Sequence, residues 1–372
     1  MEKYEFISII ITLTFIVSLS VSVLIIPIIN KIGKNFKILD FPDKRKHHLL
    51  PLVRLGGIGI LLGYSTTYYI FHFIFKNSNI FNNSDNANLI ILSSVLYFLI
   101  GISDDFFKLK PFIKLILQFI TASFLYSAGI NFGGIELLPF HNSNLIVILP
   151  EIFSYLITVF LIVGLTNGFN WLDGLDGLAS GISFILCVSL GIIFISQDQF
   201  NFALITCALA GSTVGFLRYN IYPAKILMGD CGSYLLGGTL STLSILGLSQ
   251  NEYSSYENIN ILPIYMIFII FLVPIIDMTQ VIFFRLNAGQ SPFFPDRRHL
   301  HHRLISKGIN ERNSAIILFN FAQISACFAL FLFDVKGRII LVCLSIIFFF
   351  FAALYCFDIK SKIDPFYRKN KN

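Results

Sequence analysis

Five acidic side chains stand where apolar runs of this sequence end. Asp104 and Asp105 close one run, Asp173 and Asp176 follow another, and Asp230 precedes a third. Ionised groups at an apolar boundary are costly, so they point to chemistry by default. Oxygen donors in clusters hold divalent cations or move protons. Asp104 and Asp105, after Gly101-Ile-Ser103, are adjacent like charges. Their repulsion raises the proton affinity of one, which suits a base. The reading without chemistry is a solvated helix end, followed by Lys108, Lys110 and Lys114.

The segment Asn167-Gly-Phe-Asn170-Trp-Leu-Asp173-Gly-Leu-Asp176-Gly is sharper. Asn170, Asp173 and Asp176 are three apart and would share a face if the segment is helical. Its glycines let backbone approach a ligand. This donor set suits Mg²⁺, which binds few carboxylates and keeps sites for substrate phosphate. The alternative is an Asn/Asp/Gly turn with capping duties. Met228-Gly-Asp230-Cys-Gly-Ser233 offers either a helix N-cap or another carboxylate facing the Asp173 segment. Pro295 to Leu304 packs Arg297, Arg298, His299, His301, His302 and Arg303 into seven residues. Guanidinium forks and imidazole donors suit phosphate oxygens. A zinc site through His299 and His302, or a basic loop on lipid headgroups, are the rivals. Asp277 follows Pro274 within an apolar run and would partner Arg285 or cap a kinked turn.

These residues need a scaffold, and the composition says which. Of 372 residues 55% are hydrophobic and 13% charged, and mean hydropathy is +0.76. A soluble domain carries about 25% charge. A soluble enzyme, a disordered chain and a coiled coil are excluded, which leaves an all-α polytopic membrane protein. A spanning helix needs about 20 apolar residues. Eleven runs qualify, near 6–29, 56–75, 89–103, 111–130, 145–166, 177–196, 201–217, 233–249, 262–284, 313–333 and 339–357. They lack the alternation of a β-barrel. The first is read as a retained helix, being long for a signal peptide. The six cysteines include no CxxC pair and are read as small buried hydrophobes.

Basic loops stay in the cytoplasm. Placing 30–55 inside and alternating puts 22 of the 27 Lys and Arg in the segments 30–55, 104–110, 218–232, 285–312 and 358–372, and four outside. The N-terminus is then outside and the C-terminus cytoplasmic. The expectation is one transmembrane domain, 1–357, with active-site loops 30–55, 104–110, 167–176, 218–232 and 285–312 on the cytoplasmic face, and a basic tail, 358–372. The net charge of +6 reports topology and attraction to anionic lipid, with no nucleic acid as partner. A transporter would set its polar residues near the bilayer midplane, whereas here the carboxylates sit at the inside ends and the runs are largely uncharged apart from Lys114, Glu151 and Asp277.

In this order the motifs resemble the polyprenyl-phosphate N-acetylhexosamine-1-phosphate transferases. The matching residues are Asp40-Phe-Pro-Asp43 to His47, Pro51, and Arg54-Leu-Gly-Gly57. Asp104-Asp105 follows, with Lys114 and Gln118, then Asn167-x-x-Asn170-x-x-Asp173-Gly-x-Asp176-Gly, Gly229-Asp230-x-Gly-Ser233 and His299-Leu-His301-His302. Leu300 interrupts the histidines. This resembles the N-acetylglucosamine branch, where the phospho-N-acetylmuramoyl-pentapeptide branch has three in a row.

The resemblance implies transfer of a sugar 1-phosphate from a UDP-N-acetylhexosamine to undecaprenyl or another polyprenyl phosphate, with release of UMP. This would be the first membrane step of a cell-wall or lipopolysaccharide glycan. It implies Mg²⁺, with Mn²⁺ as a substitute, held by Asp230 and Asn170. Asp104 or Asp105 would deprotonate or orient the acceptor, and Asp173 and Asp176 would serve the nucleotide side. Lys114, Asn167, Arg297, Arg298, His299, His301, His302 and Arg303 would bind substrate. The setting implied is the cytoplasmic membrane, and a homodimer is one candidate assembly.

Overall fold

The computed structural model describes residues 2–41, 51–75, 84–137, 146–249, 260–291 and 298–333. The described residues are helical almost throughout. Among the described residues eight helices are long and apolar enough to cross a membrane: α1 (Glu2–Asn35), α2 (Gly56–Phe75), α3 (Ser84–Phe107), α5 (Glu151–Leu172), α6 (Leu178–Ser196), α7 (Phe200–Asn220), α8 (Gly229–Leu248) and α12 (Glu311–Leu332).

Two of the expected runs take another form. The run 111–130 yields α4 (Pro111–Ser127), only 17 residues. At 1.5 Å per residue it spans about 26 Å, short of a 30 Å hydrocarbon core. Gly129, at φ +114°, turns the chain away just beyond it. The run 262–284 breaks into α9 (Ile264–Ile270) and α10 (Leu272–Asn287), bent by 85°. Pro274 explains the break, because it lacks the N–H that would bond Ile270 and its ring clashes with that carbonyl. Counting the bent pair as one span gives nine. The run 339–357 and the tail 358–372 lie outside the described residues.

Short strands were not expected. β1 (Leu39–Asp40) and β2 (Leu52–Val53) pair antiparallel, Leu39 opposite Val53, which delivers Asp40 and Arg54 to one place. β3 (Gly134–Glu136) lies between antiparallel β4 (Ile146–Ile148) and parallel β5 (Ile261–Pro263). This sheet joins the ends of α4, α5 and α8 remote from Asp104, Asp173 and Asp230. A short helix, α11 (Leu300–Ser306), precedes α12.

The core gathers on α8. Its spanning window is 94% buried, against 28% for α1. Glycine, serine and threonine alternate with leucine along α8, and small residues let helices close in a bilayer, where hydrophobicity cannot drive them together. α3, α5 and α2 pack around it, and α1, α7 and α6 form the neighbouring layer. The four described cysteines, Cys187, Cys207, Cys231 and Cys327, are free, as the sequence led us to expect.

Candidate active site

The site forms where the N-terminus of α8 meets the C-terminus of α3. Gly101 makes the meeting possible: a Cβ there would run into the Asp230 carbonyl. Gly229 starts α8 at φ +77°, a left-handed conformation open to glycine, and a Cβ would lie 2.6 Å from the Arg54 carbonyl oxygen and 2.7 Å from Asp105 Oδ2. Gly101→Val forces α3 from α8 and is expected to cost about 3 kcal/mol, at the upper end for overpacking. A reduced yield of monodisperse protein and a lower Tm in detergent would register it.

Asp105 is committed to this junction. Its Oδ1 accepts from the Asp230 amide at 3.0 Å and its Oδ2 from the Cys231 amide at 2.8 Å. It therefore caps α8 from another helix, since α8 has no side-chain cap at its own N-cap residue. Arg54 Nε lies 3.0 Å from the same Asp105 Oδ1. The guanidinium continues to Asp230 Oδ1, 2.6 Å from Nη2, and to Asp40 Oδ1, 3.8 Å from Nη1. Burial works against the charge of Arg54. Asp230, Asp105, Asp40 and Asp173 outweigh it and hold its pKa above the usual arginine value.

Asp104 turns the other way. Its Oδ1 accepts from the Leu109 amide at 2.8 Å, fixing the turn into α4, and Oδ2 pairs closely with Lys114 Nζ. Lys114 also lies 3.5 Å from Asp230 Oδ2. Asn170 Nδ2 donates to Asp230 Oδ1 and to Ser233 Oγ, both at 3.0 Å. Asp230 thus receives Arg54, Lys114 and Asn170 from β2–α2, α4 and α5. One turn along α4 from Lys114, Gln118 and Asn167 exchange amide hydrogen bonds of 2.6 and 3.5 Å, which fix α4 to α5.

The segment after Asn170 departs from the expected single face. α5 ends at Leu172, Asp173 is its C-cap, and Gly177 at φ +77° directs the chain into α6. Asp176 Oδ2 accepts from the Ala224 amide at 2.8 Å, tying this turn to the connection before α8. Asp173 remains by the cluster. Burial raises its pKa well above the carboxylate range; Arg54 opposes that, and Asp230, Asp105 and Asp176 add to it.

A group with a raised folded pKa holds a proton that the unfolded chain has released. Stability therefore falls as pH rises from the ordinary carboxylate value through the raised one. Asp173→Asn is expected to flatten this loss, so that without divalent cations its Tm gains on wild type as pH rises above the ordinary carboxylate value. Parallel thermal melts would check it, and equal slopes would contradict it.

The histidines converge beside this turn. His299 meets Trp171 edge-on at 5.8 Å and stacks with His301 at 5.7 Å; His301 and His302 are 4.3 Å apart. Gly174 abuts the His301 ring, where a Cβ would meet Nε2 and Cε1. Arg298 and Arg303 lie along α10 instead. Arg298 donates to the Phe284 carbonyl at 2.8 Å, and Arg303 donates to Gln280 at 2.9 Å. Arg297 lies outside the described residues, as do Asp43 and His47. The sequence places Arg54, Gln118 and Ser233 in the motifs but assigns them no role at the site, and it singles out Trp171 for none. Arg54 had a signal: several converging carboxylates need countercharge, and it is the cation entering the next apolar run.

The donors fit a hard divalent cation. Asp104, Asp105, Asp173 and Asp230 against Arg54 and Lys114 leave an excess of two negative charges at full ionisation, and carboxylate and amide oxygens suit Mg²⁺. Among the described residues no three His, Cys, Asp or Glu side chains are preassembled around one point. A cation taken up here would share Asp230 with Arg54 and Lys114.

An apolar bundle of helices long enough to cross a bilayer, with a charged cluster at one end and histidines beside it, defines a multi-pass membrane protein. The chain belongs to glycosyl transferase family 4, whose model matches residues 87–248, from α3 to the end of α8. It is 33% identical over 314 residues to a probable undecaprenyl-phosphate N-acetylglucosaminyl 1-phosphate transferase of Bacillus subtilis, covering 83% of this chain and 81% of that protein. It is 32% identical over 303 residues to a decaprenyl-phosphate N-acetylglucosaminephosphotransferase of Mycolicibacterium smegmatis, covering 78% and 74%. Identity to an undecaprenyl-phosphate alpha-N-acetylglucosaminyl 1-phosphate transferase of Escherichia coli K12 is 27% over 302 residues, covering 77% and 74%.

Proposed function

We propose that this protein transfers N-acetylglucosamine 1-phosphate from its UDP derivative to undecaprenyl or a related polyprenyl phosphate at the cytoplasmic face of the cytoplasmic membrane. The observation that carries the reading is the convergence of Asp104, Asp105 and Asp230 with Arg54 and Lys114 at one end of a lipid-facing bundle. The names of the relatives supply the substrate class, and the excess of Lys and Arg in one set of loops supplies the orientation.

An oxygen of the acceptor phosphate attacks the phosphorus that bears the sugar. The bond from that phosphorus to the bridging oxygen breaks, UMP leaves with the electron pair, and a lipid diphosphate sugar remains. Such transfers depend on positioning and charge neutralisation. Lys114, held by Asp104, steadies the acceptor phosphate, and Asp104 takes its proton when the phosphate arrives protonated. Asp105 and Arg54 hold the α8 N-terminus, and with it Asp230, in register. Asp173 and Asp176 shape the turn beside the nucleotide. His299, His301 and His302 bind the diphosphate and sugar, with Arg297, Arg298 and Arg303 as a basic approach. Asp230 and Asn170 would hold Mg²⁺, which would supply neutralisation of diphosphate charge.

Purified protein given UDP-GlcNAc, undecaprenyl phosphate and Mg²⁺ is expected to release UMP only when all three are present. Chelation should stop the release and added Mg²⁺ restore it. UMP formed without the lipid acceptor, or full rate in chelator, would overturn the reading.

A further inference from the structure

One buried carboxylate has no role in the account above. Asp277 is 1% exposed and stands on α10, beyond the bend and between Pro274 and Arg285. Its Oδ2 lies 2.8 Å from His299 Nδ1, and its Oδ1 accepts from the Leu300 amide at 2.6 Å. Both oxygens thus reach the start of α11 from a different helix. His299 is the N-cap of α11 but makes no side-chain cap there, so Asp277 supplies the acceptor. The His299 ring also contacts Trp171 edge-on and stacks with His301.

An ionised carboxylate only accepts hydrogen bonds, so the hydrogen of His299 that faces Asp277 sits on Nδ1. The bond made by one ring nitrogen decides the state of the other. With Nδ1 committed, Nε2 is the ring atom left for a ligand. A single carboxylate therefore fixes the tautomer and rotation of His299 and the position of the next two histidines, which follow on the same short helix.

We infer that Asp277 is a positioning residue for the histidine segment: it orients His299 so that Nε2 serves the sugar-nucleotide diphosphate. This rests on the proposed reaction and adds a residue to it. Asp277→Asn keeps the volume but cannot accept from both His299 and Leu300 as the carboxylate does. It is expected to lower kcat/KM for UDP-GlcNAc on the order of tenfold to a hundredfold, as loss of a carboxylate behind a working histidine does elsewhere.

A double-mutant cycle separates this from a general effect on packing. If Asp277 acts through His299, adding Asp277→Asn to His299→Ala costs no further activity. Multiplying losses would overturn the assignment. A second measurement needs neither turnover nor an Asp277 variant. In protein labelled with ¹⁵N-histidine, the His299 signal, identified by its loss in His299→Gln, should report a protonated Nδ1. A bare Nδ1 would overturn the assignment. Wild-type protein that moves no sugar phosphate would sink the proposed reaction and leave the ¹⁵N result to judge Asp277.

Discussion

Asp230→Asn is expected to leave a folded, membrane-inserted protein whose transfer rate has fallen by about a hundredfold to a thousandfold or more, comparable to or beyond the loss of one preorganised electrostatic group. The reason lies in how many partners meet this carboxylate. Arg54 is 2.6 Å from Oδ1, Asn170 donates to the same oxygen at 3.0 Å, and Lys114 is 3.5 Å from Oδ2. The amide of asparagine keeps the shape and one acceptor. It removes the charge that binds a divalent cation, and it turns a donor toward Lys114. Folding should survive, because the cap that holds α8 comes from Asp105 to the backbone of residues 230 and 231. Turnover measured across a Mg²⁺ titration checks this. A near wild-type rate at saturating Mg²⁺ would show that Asp230 is not the metal ligand.

The second large effect belongs to Arg54. It ties β2 to Asp105 on α3 and Asp230 on α8, and it faces Asp40 on β1. The Asp105 side chain is fully buried, whereas Arg54 is 36% exposed. Removing one partner of a buried pair costs about 3–5 kcal/mol. Exposure of the arginine and the two amides that remain on Asp105 reduce this to about 2 kcal/mol. Arg54→Ala is therefore expected to lower Tm measurably and to reduce turnover on the order of a hundredfold, as Asp230 loses its register. Arg54→Lys discriminates charge from geometry. A lysine cannot bridge two carboxylates with a planar fork, so it should recover much of the stability and little of the turnover. Melting curves and initial rates on both variants test this, and full activity in Arg54→Lys would reduce Arg54 to a countercharge.

Much of the scaffold was legible because a bilayer imposes one rule, a run of apolar residues long enough to cross. That rule found α1, α2, α3, α5, α6, α7, α8 and α12. It failed where a local event overrode hydropathy. Pro274 broke one apolar run, and Gly129 cut α4 short. It misplaced the ends of α5 by several residues, since β4 and Pro150 occupy the expected start and polar Asn167 and Asn170 extend the helix beyond the expected stop.

Within the candidate site, residue types and order pointed to Asp104, Asp105, Asp173, Asp230 and the histidines, which the fold brings near one another. Their division of labour was not legible. Whether Asp105 caps α8 and Asp104 pairs with Lys114, or the reverse, depends on which way each side chain leaves α3, and adjacent residues in a helix differ by a hundred degrees. Asp176 likewise reads as a ligand by spacing, yet bonds to the Ala224 amide because α5 stops at Leu172.

Supplying UDP-GlcNAc labelled with ³²P in the phosphate next to the sugar, together with undecaprenyl phosphate, tests the central claim most directly. The account predicts that this label enters the lipid fraction in step with the sugar, while unlabelled UMP stays in the water phase. If the sugar reaches the lipid and the label remains behind as UDP, the bond broken is the glycosidic one, and a site built to neutralise a diphosphate under attack is the wrong description of this protein.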